Sequence, residues 1–359
     1  MREPTMIGRG LMVLVGVVLG CSSTTDPAPL DGAPVGTSSL DGGSAADVPP
    51  AVSEGGLTTT ARLFPEGSPW YRDVSAMPAD VESPAMIMAL ASAGGFGSGE
   101  LLVDFTFELN TADASAPLVP LVKGPDFSSP DCDELSVPLP PGGALRGESG
   151  YQCTMNGECH LLVLQPGAHR LFELWKASVS NGMVTAGCLA VWDLSRVYGP
   201  SGRGTDCASA DSAGMPIAAL LFTADEVAAG EIPHALRLSL PKDRIRPGVY
   251  LSPATHTTRA AAGSTTAVPL GGRLRLRPDF PTDALTSGAK VVVRALQRYG
   301  MVLAEGGPKA LTARGDRSTT ARWAGLLGEH DLASIKPMDF VVVDGGARIP
   351  YGGDCVRNP

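Results

Sequence analysis

Cys21 stands directly behind an apolar run, Leu11–Leu19, and that arrangement decides where the rest of the chain has to fold. Arg2 and Arg9 place positive charge around its start, and Val18, Leu19, Gly20 and Cys21 close it. A bilayer-spanning helix needs about 20 apolar residues, so this shorter stretch reads as a secretory signal over residues 1–20. Gly20 is small enough for a signal peptidase, and the Cys21 thiol is the nearby nucleophile able to accept a diacylglycerol. The expectation is a lipoprotein tied to a membrane through lipid on Cys21. The plainer alternative is an ordinary signal peptide cleaved nearby, with Cys21 incidental. Each buried acyl methylene adds about 0.8 kcal/mol to membrane affinity, so multiple acylation anchors a chain that has no spanning helix.

Residues 21–56 are dominated by Ser, Thr, Asp, Gly, Ala and Pro. Such a stretch buries too little apolar surface to offset its ordering entropy, so it reads as a flexible, lipid-anchored linker. Residues 57–359 follow without a second low-complexity break, enough for one extracytoplasmic domain with a sizeable core. The formal net charge of -9 and the pI near 5.1 argue against nucleic acid as a partner.

Export has a consequence for the cysteines. Setting Cys21 aside leaves Cys132, Cys153, Cys159, Cys188, Cys207 and Cys355, an even set suited to three disulfides in an oxidising compartment. Cys153 and Cys159 bracket a turn-rich loop and pair locally; Cys188 with Cys207, and Cys132 with Cys355, is the simplest completion. A metal site at Cys153, Cys159 and His160 is the competing reading, but its spacing is wrong for a zinc knuckle. No metal or cofactor is expected.

The folded part is expected to be mainly β, a sandwich or jelly roll with a few appended helices. Strands are expected where apolar residues cluster or alternate between turns: around Leu101–Glu108, Cys159–Leu164, His169–Trp175, Gly187–Leu194, His234–Leu240, Gly272–Arg277 and Phe340–Val343. In Gly272–Arg277 the period of two puts Arg273, Arg275 and Arg277 on one face and Leu274 and Leu276 on the other, as in a half-buried strand. A helix is expected from Ser287 to Tyr299, capped by Thr286 or Ser287 and ended by Gly300. A shorter one is expected from Ala224 to Ala229 behind Thr223.

The densest set of polar, titratable residues lies between Asp193 and His256. His234, His256 and Asp211 are the candidate catalytic residues, since imidazole titrates near neutrality and a carboxylate can share the proton traffic. On a strand, His234 and Arg237 point to opposite faces, which argues against a joint role. Glycoside hydrolysis would draw on Glu173, Asp193, Asp206 or Asp211, and polysaccharide lysis on Tyr250, His256 and Arg237. Trp70, Tyr71, Trp175, Trp192 and Trp323 are candidate sugar-stacking rings, although with 5% aromatics most should be core.

Three runs carry a resemblance: Asp211–Ile217, Asp225–Arg237 and Ala295–Glu305. Across roughly 63–344 the chain resembles a group of secreted bacterial proteins of unassigned activity. That likeness implies an extracellular, carbohydrate-associated setting and carries over no catalytic residue. Ala304, Glu305 and Gly306 stand where the group would have Ala-Asp-Asn-Gly. Ser22 after the cysteine resembles the Gram-negative signal for outer-membrane sorting. The functional expectation is a surface lipoprotein acting on an extracellular polysaccharide, or binding one without cleavage.

Overall fold

Alternating sequence explains the central strand best. In Leu236–Leu240 every second residue is leucine, and Leu236, Leu238 and Leu240 enter the main core while Arg237 and Ser239 point the other way. The computed structural model describes residues 62–155 and 157–358; the signal peptide, Cys21 and the linker lie outside them. Leu236–Leu240 sits within a six-stranded mixed sheet, ordered Val103–Phe107, Leu311–Arg314, Leu236–Leu240, Met301–Gly306, Arg273–Leu276, Phe340–Val342. It runs parallel to Met301–Gly306 and antiparallel to Leu311–Arg314.

A second sheet orders Cys188–Asp193, Arg170–Trp175, Leu161–Gln165 and Leu109–Thr111. Its strands are near-continuous apolar runs because both faces are packed. Leu162, Leu164, Leu171 and Trp192 join the main core, and Leu161, Val163, Phe172 and Leu174 a second one. Val103–Phe107 belongs to the first sheet and Leu109–Thr111 to the second, so a single stretch of chain ties the sheets together with only Glu108 between. The fold is therefore mainly β, as the strand pattern requires.

The helices follow their caps. Ser287–Arg298 starts on Thr286, whose hydroxyl accepts from Ala289 N, and buries Val291, Val292, Ala295 and Leu296. Ala224–Ala229 begins with a capping box between Thr223 and Glu226. Ser83–Ser92 is a helix that periodicity does not reveal: it carries no charged residue, so no polar stripe marks it. Met86, Ile87 and Leu90 are buried, and Ser83 Oγ accepts from Val342 N on the sheet edge. No helix among the described residues is long and apolar enough to cross a membrane.

Two expectations need correction. The arginine face of Arg273–Leu276 is not open to water: residues 69–77 cover it, and Arg273 donates to Pro69 O while Arg275 donates to Val74 O and Met77 O. Carbonyls of an irregular segment supply what solvent would otherwise give. The disulfides are Cys132–Cys188, Cys153–Cys159 and Cys207–Cys355, so the local pair stands and the other two exchange partners. The cause is long-range: Gly124 N donates to Ala186 O and Asp133 N to Leu189 O, laying the Cys132 segment along the Cys188 edge. Gly204–Thr205 likewise pairs with Val356–Arg357, which sets Cys355 beside Cys207.

Candidate functional site

Polar residues on the free face of the six-stranded sheet form the floor of a cleft of about 800 Å³. Arg237 and Ser239 come from the central strand, Thr312 from its neighbour Leu311–Arg314, Asp104 from the edge strand Val103–Phe107 beyond that, and Glu305 from the end of Met301–Gly306. Residues 208–212 form one wall, and His160, Trp175, Lys176 and Cys188 line the side of the second sheet. The 208–212 wall is rigidly placed. Ala213 N donates to Ala304 O, Thr255 N to Ala213 O, and Thr255 Oγ1 to Cys207 O. Gly214, at φ +71°, permits this packing, because a β-carbon there would lie 2.2 Å from Thr255 Oγ1.

Asp211 reaches down from that wall onto Arg237. Arg237 Nε donates to Oδ2 and Nη2 to Oδ1, both at 2.9 Å, and Nη1 donates to Ser239 and Thr312. Burial pushes the Asp211 carboxyl up to about 7 against the pull of Arg237. With both oxygens committed to one guanidinium, Asp211 acts first as the anchor of Arg237. Next to it, Ser212 N donates to Glu305 Oε2 at 3.0 Å, and Ser212 Oγ and Gly306 N donate to Oε1 at 2.5 and 2.7 Å. Glu305 is thus an oriented, partly exposed carboxylate facing the cleft.

His256 also lines the cleft, but both ring nitrogens are engaged: Nδ1 lies 2.7 Å from Ser212 O and Nε2 3.0 Å from Tyr351 Oη. Burial holds its pKa below the ordinary histidine value. His234 faces elsewhere, as its offset from Arg237 requires. It lines a cavity of about 70 Å³ with Arg62, Tyr71 and Glu226, and its Nε2 lies 3.3 Å from Glu226 Oε1. Asp211 and His256 are therefore brought together and His234 is not.

The remaining carboxylates separate cleanly. Glu173 is buried off the cleft and accepts from Trp192 Nε1, Ile217 N and Ala218 N; burial nevertheless raises it to about 7. Asp193 is exposed and held low by the Ser195 hydroxyl and amide. Asp206 accepts from Tyr250 Oη and Gly352 N, which also removes Tyr250 from any base role in the cleft. Trp70, Trp192 and Trp323 are core, leaving Trp175 as the cleft's tryptophan, with Lys176 Nζ 4.6 Å from its ring centre. Glu148 approaches Cys153 and Cys159 closely, but both sulfurs are consumed in their disulfide.

Sequence reasoning overlooked Asp104, Arg146, Lys242 and Glu305 in the cleft lining, and weighed His160 only as a metal ligand beside Cys153 and Cys159. A signal existed for one: Asp104 interrupts the apolar run from Leu101 to Phe105, as a buried charge with a dedicated partner does. Arg146 is that partner, donating from Nη2 to Asp104 Oδ2 at 2.6 Å. Comparison with protein-family models, with curated proteins and with solved structures finds no match to this chain.

Proposed function

We propose that the chain is a bacterial surface lipoprotein, anchored through lipid on Cys21, whose cleft holds an extracellular polysaccharide. The observation that carries this reading is the cleft's lining. Its floor is a layer of hydrogen-bonding side chains, and Trp175 stands at the wall, the combination with which proteins grip hydroxyl-rich chains. The signal peptide and lipobox support the location, and the three disulfides suit an oxidising compartment.

Binding without cleavage is favoured over catalysis because Asp211 and His256 spend their polar atoms on protein partners. Cleavage is the second reading, and Glu305 favours it as a clamped carboxylate open to the cleft. The test uses the full-length chain in detergent, with disulfides intact, against a panel of plant, algal and bacterial polysaccharides. Retention, reducing ends and unsaturated products are scored together. Retention without new ends is expected, new ends lost in Glu305→Gln would establish the second reading, and silence across the panel would overturn both. The location is tested by Cys21→Ser, which should lose the lipid mass and leave the membrane fraction.

A further inference from the structure

Charge in the cleft is nearly all answered from within the protein. Arg146 pairs with Asp104, Arg237 with Asp211, Lys176 with Asp126 and Glu158, and Lys309 with Glu329. Glu305 has no cation beside it, but Ser212 N, Ser212 Oγ and Gly306 N all donate to its carboxylate. Lys242 is the exception. It is exposed, and among the described residues it is the cleft-lining cation with no carboxylate in ion-pair reach. The charge left over for a ligand is therefore positive.

An exposed lysine ordinarily keeps its four-carbon stem in free rotation, and fixing it costs about 2 kcal/mol of rotamer entropy. Lys242 is placed differently. Its carbonyl accepts from Ile245 N and Ala262 N, and two residues earlier Leu240 O accepts from Gly307 N, so the backbone beneath it is tied to both neighbouring segments. The stem then lies across Gly306, where a β-carbon would stand 3.0 Å from Lys242 Cγ and 3.2 Å from Cε. Gly306 has no side chain to contest that space, and the contact runs to the carbon that carries the ammonium. The cation is thus held beside the Glu305–Gly306 stretch of the floor before any ligand arrives. A compact ammonium pairs best with an anionic oxygen. The formal charge of -9 on the chain does not prevent this, because at physiological salt distant charges are screened beyond about 8 Å and a contact pair is not.

We propose that Lys242 is a ligand-contacting residue of the cleft and that the polysaccharide held there is an acidic one, with a carboxylate or sulfate group seated on the Lys242 ammonium. This rests on the polysaccharide reading above and narrows it.

The test measures retention of the full-length chain in non-ionic detergent, disulfides intact, on polygalacturonate and alginate and their carboxyl-reduced forms, and on carrageenan and its desulfated form. Retention on the acidic polymers is expected to be about tenfold tighter than on their neutralised forms, as a hydrogen bond to a charged group implies. A preference confined to the uronates or to the sulfated polymer would support the proposal and name the charged group. Lys242→Met should lose that preference while binding the neutralised forms as before, and Lys242→Arg, which keeps the charge, should retain most of it. Gly306→Ala should weaken acidic retention with Lys242 still present, since its β-carbon displaces the stem. Equal or tighter retention of the neutralised forms, unchanged binding in Lys242→Met, or Lys242→Arg as weak as Lys242→Met would overturn the proposal while leaving the polysaccharide reading in place. Retention of no polymer would remove both.

Discussion

Arg237 holds Asp211 through two parallel hydrogen bonds of 2.9 Å in a place where neither side chain meets solvent. Removing one partner strands the other as a buried charge, which costs about 3–5 kcal/mol. Arg237→Met should therefore lower the urea midpoint by an amount in that range. Adding Asp211→Leu should restore much of it, since the double variant buries no charge. A double variant as weak as the sum of the singles would mean that the cost lies in Ser239 and Thr312, which also lose their donor.

His234 should behave as a structural residue. Its Nδ1 contacts Ala235 O at 2.8 Å and its Nε2 contacts Glu226, so both nitrogens face acceptors, as in a cation. Burial lowers its pKa, but Glu226 and the Ala235 carbonyl outweigh this and raise it overall. Its stabilising contribution is fully present below the ordinary value of 6.5 and is lost as pH rises through the raised one. His234→Ala should cost about 1–3 kcal/mol in chemical denaturation at pH 6, by leaving Glu226 unpaired, and leave polysaccharide retention unchanged. Retention that falls without a stability loss would place His234 in the binding site after all.

The disulfides should contribute unequally. Cys207–Cys355 closes a separation of 148 residues and Cys153–Cys159 one of 6. Chain entropy assigns about 5 kcal/mol to the long loop and about 2.4 to the short one. Paired serine replacements at 207 and 355 should lower the melting temperature well beyond those at 153 and 159. They should also release the Val356–Arg357 pairing and with it the Asp211 wall, so ligand retention should fall too.

What could be read from sequence follows the range of the interactions involved. Leu236–Leu240, Arg273–Leu276 and the helix behind Thr286 are legible because alternation, helical spacing and caps act over a few residues. Ser83–Ser92 is hidden because a helix of small and apolar residues has no polar face to give it a period. The disulfide partners of Cys188 and Cys207 are settled by sheet edges contributed from residues 124–133 and from the C-terminus, which no local pattern encodes. Asp211 and His256 stood out as titratable types, but the opposite facing of His234 separated it from them. His160 reads from sequence as the start of an apolar strand or as a metal ligand beside Cys153 and Cys159, because nothing in Cys159-His-Leu-Leu foretells that Arg146 and Arg237 will lie near it.

His160 and Glu173 should give opposing pH dependences. The folded state keeps His160 neutral down to about 3, whereas the unfolded chain takes up that proton near 6.5. Its contribution is therefore lost as pH falls below 6.5, and stability rises with pH across that window. Glu173 keeps its proton to about 7 when folded and releases it near 4.5 when unfolded. Its contribution is present below 4.5 and is lost as pH rises through 7. Between 4.5 and 6.5 the two slopes oppose each other, each about 1.4 kcal/mol per pH unit for one proton. Relative to the parent chain, His160→Met should tilt the stability profile downward with rising pH in this interval, and Glu173→Gln should tilt it upward. Urea denaturation at pH 4.5, 5.5 and 6.5 would read both. Parallel profiles for His160→Met and the parent would mean that His160 carries a proton in the folded state.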